Sequence, residues 1–169
     1  MKNIEQKEVP RKVTAKINST VSSTAGISAE NQKDDLLMKK VDLKSFGDIL
    51  LARQVMWGLT KEVGFNLLDQ TKLITAVSEL SRNVVIHAKF GTMTVFKVKS
   101  ISGKTGLKVV FEDHGPGIPD IEKALKEGYS TSGSLGLGLP GSKKLCDDFR
   151  IKNIVGKGLN VAIWKWCSI

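Results

Sequence analysis

Leu107, Val109, Phe111 and Asp113 alternate along one run of the chain, so in an extended strand the Asp113 carboxylate points the same way as three apolar side chains. A carboxylate placed there needs a hydrogen-bonding partner, because burying it alone costs several kcal/mol. The segment His114-Gly115-Pro116-Gly117-Ile118-Pro119 follows at once. Two glycines around a proline let the backbone turn tightly and let a planar ligand come close. An apolar wall, one inward carboxylate and bare backbone suit a heterocycle with an exocyclic amino group, such as adenine.

Upstream, Thr75, Glu79, Asn83 and His87 recur every four residues and share one face of a helix expected over about residues 66–89. This polar line runs beside the apolar stripe Leu73, Ala76/Val77, Leu80, Val84 and Ala88 rather than opposite it. Taken alone, such a line fits a solvated helix face as well as a lined groove. Downstream, the loop Tyr129 to Leu139 is dense in glycine and small hydroxyls and leads into a helix expected over about 138–149. Free backbone N–H groups and the positive end of a helix dipole make such a loop a phosphate cradle. Lys143 and Lys144, placed in the first turns of that helix, would add positive charge.

Two familiar strings fail their context tests. Gly136-x-Gly138-x-x-Gly141 matches a dinucleotide fingerprint in letters, but it follows no strand and lacks a ribose-binding acid further on. Gly103-Lys104-Thr105 resembles the end of a P-loop, but Val98 stands where the first glycine belongs and the string falls in a hairpin turn.

Around these motifs the periodicity predicts an edge strand from Leu36 to Lys44, then a helix capped by Ser45 and stopped by Gly64. Strands are expected near 92–100 and 107–113, a short helix from Asp120 to Gly128, and a closing hairpin, 150–155 and 159–166, turning at Gly156-Lys157-Gly158. This order predicts an α/β chain, an α+β two-layer sandwich with helices packed on one face of a mixed, mostly antiparallel sheet. Residues 1–35 carry no aromatic side chain and little apolar surface, and are expected to be a disordered N-terminal tail before a domain over 36–169.

Charge decides the partner class. The chain has 26 Lys+Arg against 17 Asp+Glu, a net charge of +9. Only four of the cations are arginines, and no basic run exceeds two residues, so the clustered, arginine-rich face of a nucleic-acid binder is missing. The tail contributes six basic and five acidic residues, so the excess belongs to the folded part. Neither Cys146 nor Cys167 sits in a metal-ligand pattern. No apolar run approaches a membrane span, and the N-terminus has no signal-peptide core. A cytoplasmic location without membrane or nucleic-acid partners is expected.

Together the motifs resemble the GHKL (Bergerat-fold) ATP-binding family. Glu79-Leu80-Ser81-Arg82-Asn83 resembles its N box, Asp113-His114-Gly115-Pro116-Gly117 its first glycine box, and Ser134 through Gly141 its second. The stretches Leu51-Ala52-Arg53-Gln54, Asp69-Gln70-Thr71, Glu79 to Asn83, Glu112 to Ile118 and Glu127 to Gly133 through Lys144-Leu145 resemble more narrowly the RsbT-type serine/threonine switch kinases of the bacterial stressosome. The resemblance covers about residues 36–166. It implies the Bergerat fold and a protein serine/threonine kinase using ATP and Mg²⁺. It implies Asn83 as the Mg²⁺ ligand, Glu79 as catalytic general base and Asp113 as acceptor for the adenine amino group. Gly115 and Gly117 would shape the adenine pocket. Ser132, Gly133, Leu135, Gly136, Leu137, Gly138 and Lys144 would complete the nucleotide site, with 129–135 as a short ATP lid that contains no arginine. The implied partners are a STAS-domain antagonist, phosphorylated on Ser or Thr, and a protein phosphatase activated by binding. The same boxes also fit an anti-sigma factor kinase that sequesters a sigma factor, or a non-catalytic nucleotide-dependent docking module.

Overall fold

A computed structural model of the chain describes residues 35–126 and 138–168. Residues 1–34 of the expected tail and the expected lid, with Ser132, Gly133, Leu135, Gly136 and Leu137, lie outside those residues, whereas Asp35, the last residue of the expected tail, is described and pairs with Lys108 at 2.9 Å.

Local chemistry sets the first elements. Helix α1 (Phe46–Val63) begins at Ser45, whose hydroxyl accepts the Asp48 N–H at 3.4 Å while the Asp48 carboxylate accepts the Ser45 N–H at 2.8 Å. This reciprocal box satisfies two donors that a helix start otherwise leaves open. Gly64, left-handed at φ 93°, ends the helix. Asn66 caps α2 (Leu67–Asn83) by accepting the Asp69 N–H at 2.9 Å.

Five strands form one sheet in the order β1 (Leu36–Leu43), β2 (Gly91–Lys99), β3 (Thr105–Asp113), β5 (Gly158–Trp166), β4 (Asp148–Ile154). All four pairings are antiparallel, so no parallel pair of the expected mixed sheet occurs among the described strands. One face of the sheet carries Met93, Val95, Leu107, Val109, Phe111, Val161 and Ile163, all buried. Ile49, Ala52 and Met56 of α1 and Leu73, Ala76, Val77 and Leu80 of α2 close over them in one core. The helices cover one side of the sheet because the inward strand residues and the helix stripes are the two apolar surfaces available. A smaller cluster, Val98, Ala162 and Trp164, lies on the other face, with Arg150 4.7 Å and Lys108 5.4 Å from the Trp164 ring.

The remaining helices are short. Helix α3 (Ile121–Ala124) starts at Asp120 as expected, and α4 (Gly138–Leu145) stops four residues before the expected Phe149 because β4 begins at Asp148. Lys143 and Lys144 therefore occupy the last turn of α4 instead of its first turns.

The second helix departs from expectation at the residue that matters most. Regular α-helix ends at Asn83, and Val84–Ala88 form a π turn closed by Lys89 at φ 65°. Val84 then packs so closely on the start of β2 that a Cβ at Gly91 would stand 2.6 Å from its Cγ1. Simple periodicity reads through such a turn, since one π turn shifts the register by a single residue.

Candidate active site

Segments far apart in sequence meet around a cavity of about 460 Å³, within the size range of small-molecule sites. Asn83 and His87 line it from the end of α2 and the π turn. Asp113, Pro116, Gly117 and Ile118 line it from the end of β3 and the loop that follows. Gly138 and Leu139 come from the start of α4, and Leu159 and Val161 from β5. Leu80, Val84, Ala88 and Phe111 supply further apolar wall. Asp120, Lys123 and Ala124 stand at the α3 side.

Asp113 ends the central strand β3 and is half-buried, as the alternation of Leu107, Val109 and Phe111 requires. Its Oδ1 accepts the Gly115 N–H at 2.8 Å and the Leu159 N–H at 3.3 Å. Among the described residues Oδ2 accepts no hydrogen bond, which leaves one carboxylate oxygen for a ligand donor. Gly115 lies against the π turn: a Cβ there would stand 2.7 Å from the Ala88 Cβ and 3.1 Å from Asp113 Oδ1. Gly117 is left-handed at φ 68°. Both glycines are needed because backbone, and no side chain, fits between the cavity and the elements behind it.

Asn83 is half-buried at the junction of α-helix and π turn, and its amide makes no hydrogen bond to the described residues. No group of three or more His, Cys, Asp or Glu among the described residues is arranged to hold a metal. A cation here would rest on the Asn83 amide oxygen together with oxygens of a ligand, the donor set a Mg²⁺–phosphate complex accepts. Glu79 lies one helical turn before Asn83, half-buried, and is not part of the cavity wall. His87, shifted by the π turn, is exposed at the wall. His114 is exposed. Lys144 is exposed and does not line the cavity.

Sequence reasoning did not single out the residues that hold the glycine loop. Asn153 of β4 accepts the Ile118 N–H at 2.8 Å and donates from Nδ2 to the Ile118 carbonyl at 2.7 Å. The Gly156 N–H donates to the Pro116 carbonyl at 2.8 Å. An asparagine in a hairpin strand carries no signal of a partner thirty-five residues away.

Residues 68–166 match the family model described as histidine kinase-, DNA gyrase B- and HSP90-like ATPase. The chain is 46% identical over 119 residues to the serine/threonine-protein kinase RsbT of Bacillus subtilis, spanning 70% of this chain and 89% of that one. It is 28% identical over 121 residues to the anti-sigma F factor of Caldanaerobacter subterraneus subsp. tengcongensis, spanning 68% and 82%. In fold it is similar to the crystal structure of the RsbU and RsbW domains of Rv1364c from Mycobacterium tuberculosis. The TM-score is 0.51 at 15% identity, over 76% of this chain and 32% of that one.

Proposed function

Because this chain belongs to the histidine kinase-, DNA gyrase B- and HSP90-like ATPase family, and within it to the RsbT-type serine/threonine-protein kinases, we propose that it phosphorylates a STAS-domain antagonist. In this reading the cavity holds ATP with Mg²⁺, and release from the antagonist frees the kinase to bind and activate a protein phosphatase. The observation that carries the nucleotide assignment is the meeting of Asn83, Asp113, Gly117 and Gly138, from four separate elements and loops, around one cavity.

Asp113 accepts the adenine amino group on Oδ2, while its two backbone hydrogen bonds fix the carboxylate plane. Leu80, Phe111, Leu159 and Val161 exclude water from the base. Asn83 would hold the cation through its amide oxygen. Gly138, at the start of α4, would aim its backbone N–H at the phosphates, and Ser132, Gly133, Leu135, Gly136 and Leu137 would be the loop residues to complete the contacts, whereas Lys144 is exposed and lies off the cavity wall. Glu79 would take the proton from the acceptor hydroxyl as that oxygen bonds to the γ-phosphorus, the bond from the γ-phosphorus to the β,γ-bridging oxygen breaks, and ADP leaves, giving the serine or threonine phosphate ester. When bound, Mg²⁺ neutralises phosphate charge, which in phosphoryl transfer matters more than covalent help from the protein.

The test is transfer of labelled phosphate from ATP to STAS-domain proteins. The reading predicts labelling on Ser or Thr that disappears in Asp113→Asn and Asn83→Ala. Wild-type rates in either variant would overturn the site. The similarity to anti-sigma F factors supports a second reading, a kinase that also sequesters a sigma factor. Stoichiometric capture of a purified sigma factor, strengthened by nucleotide, would favour it.

A further inference from the structure

The loop from His114 to Pro119 has no helix or strand of its own, yet Pro116, Gly117, Ile118 and Pro119 form one wall of the cavity. Something outside the loop must hold its shape. The hairpin of β4 and β5 does so at three places. Asn153 bonds both backbone polar groups of Ile118, at 2.8 Å and 2.7 Å. The Gly156 N–H bonds the Pro116 carbonyl at 2.8 Å, and the Leu159 N–H reaches Asp113 Oδ1 at 3.3 Å.

We propose that Asn153 is a positioning residue for nucleotide binding, its carboxamide acting as a peptide surrogate that locks the loop over the base. This rests on the nucleotide reading above. Asn153 does not line the cavity, so it acts only through Ile118 and Gly117. Its chemistry is specific. One planar group must accept from an N–H and donate to a carbonyl at once, which a neutral amide does. A carboxylate would set oxygen against the Ile118 carbonyl oxygen. The fit is also tight: a Cβ on Gly117 would stand 2.8 Å from Asn153 Oδ1, so the loop backbone lies directly on the amide. Free of the clamp, the Ile118 N–H and carbonyl would return to water and the loop would sample other shapes. The ligand would then have to order the loop at its own expense in affinity.

The experiment uses the full chain and compares wild type with Asn153→Ala, Asn153→Asp and a control, Asn160→Ala. Asn160 lies on the neighbouring strand β5, where its amide bonds the exposed Glu112 at 2.9 Å, and neither residue lines the cavity or bonds the loop. ATP affinity, KM and kcat for phosphate transfer, thermal midpoint and amide exchange at Gly117 and Ile118 are measured together. Loss of the two hydrogen bonds is expected to weaken ATP binding roughly tenfold. The loss should appear in KM, with kcat changed less than about threefold because no group on the reacting atoms is touched. Exchange at Gly117 and Ile118 should accelerate, and Asn160→Ala should match wild type. Wild-type ATP affinity in Asn153→Ala, or a lower midpoint with unchanged affinity and exchange, would overturn the proposal. If Asn153→Ala does not fold, Asn153→Asp decides it, since that variant keeps the acceptor for the Ile118 N–H but replaces the donor to the Ile118 carbonyl by an oxygen. Failure of wild type itself to bind ATP would overturn the nucleotide reading, and is thereby distinguished from failure of the clamp.

Discussion

Asp113 Oδ1 accepts the Leu159 N–H at 3.3 Å, joining the carboxylate at the end of β3 to the neighbouring strand β5. The same oxygen takes the Gly115 N–H at 2.8 Å, so the side chain is held by backbone on both sides. Asp113→Asn can keep both bonds on its amide oxygen while presenting an NH₂ where Oδ2 stood. Donor then meets donor at the adenine amino group. ATP affinity should fall roughly 100-fold, about the cost of a mismatched buried polar contact, with the thermal midpoint nearly unchanged. Calorimetric titration beside a melting curve checks both parts.

Glu79 sits outside the cavity wall, a turn before Asn83, so its removal should spare nucleotide binding. Glu79→Gln is expected to bind ATP within about twofold of wild type and to slow transfer by roughly 10²–10⁴, the usual share of a general base. Single-turnover transfer at saturating ATP measures this. A transfer rate close to wild type would assign the base elsewhere.

Lys165 is nearly excluded from solvent and pairs with Asp147 at 2.6 Å and Asp69 at 3.3 Å, while Asn66 and Ser168 donate to the other Asp69 oxygen at 2.8 Å and 2.7 Å. Burial pushes the Asp69 carboxyl up, but the hydrogen bonds from Ser168, Asn66 and Lys165 outweigh it and hold the group below its ordinary 3.8. Burial likewise pulls Lys165 down, and Asp147, then Asp69, more than restore it above 10.5. Asp69 therefore stabilises the fold above about pH 3.8 and loses that contribution as pH falls through its lowered value. Lys165 stabilises below about pH 10.5 and loses its contribution as pH rises further. Lys165→Ala should cost about 3–5 kcal/mol at neutral pH, because two carboxylates then face each other without their cation. Denaturant unfolding of wild type and variant between acid and neutral pH checks it: the penalty should shrink as pH falls through the lowered Asp69 value.

Burial pushes the Cys146 thiol up to about 12, with the Lys165 charge only partly opposing it. Burial also raises Cys167, whose Sγ lies 3.7 Å from the Val63 carbonyl. Thiolate, not thiol, is the nucleophile. In the native chain at pH 7.5 Cys146 should resist alkylation for hours and react promptly once the protein is unfolded, as mass spectrometry of alkylated peptides would record. Rapid native labelling of Cys146 would contradict its packing against the main core.

Much of the site was readable before the fold. The alternation through Phe111 placed Asp113 inward, and the glycines after it marked close backbone approach, because strand period and glycine sterics are local properties. The caps at Ser45, Asn66 and Asp120 depend on residues three apart, so they too are written in short stretches of chain. The π turn after Asn83 was not readable. There Val84 packs against Gly91 at the start of β2, a contact between elements that no local pattern carries. Nor could spacing show that Lys143 and Lys144 fall at the far end of α4, since the helix stops where β4 must begin its pairing with β5.

The sequence by itself determined the elements, the apolar faces and the identity of the inward carboxylate, since these follow from backbone sterics and the period of burial. Only the tertiary structure decided which strand lies beside which, and so which backbone groups hold the glycine loop. Asn153 reaches Ile118, and Leu159 reaches Asp113, because β5 pairs with β3 on one side and β4 on the other. Hydrogen bonds of that kind depend on distances across the sheet, which no pattern along the chain specifies.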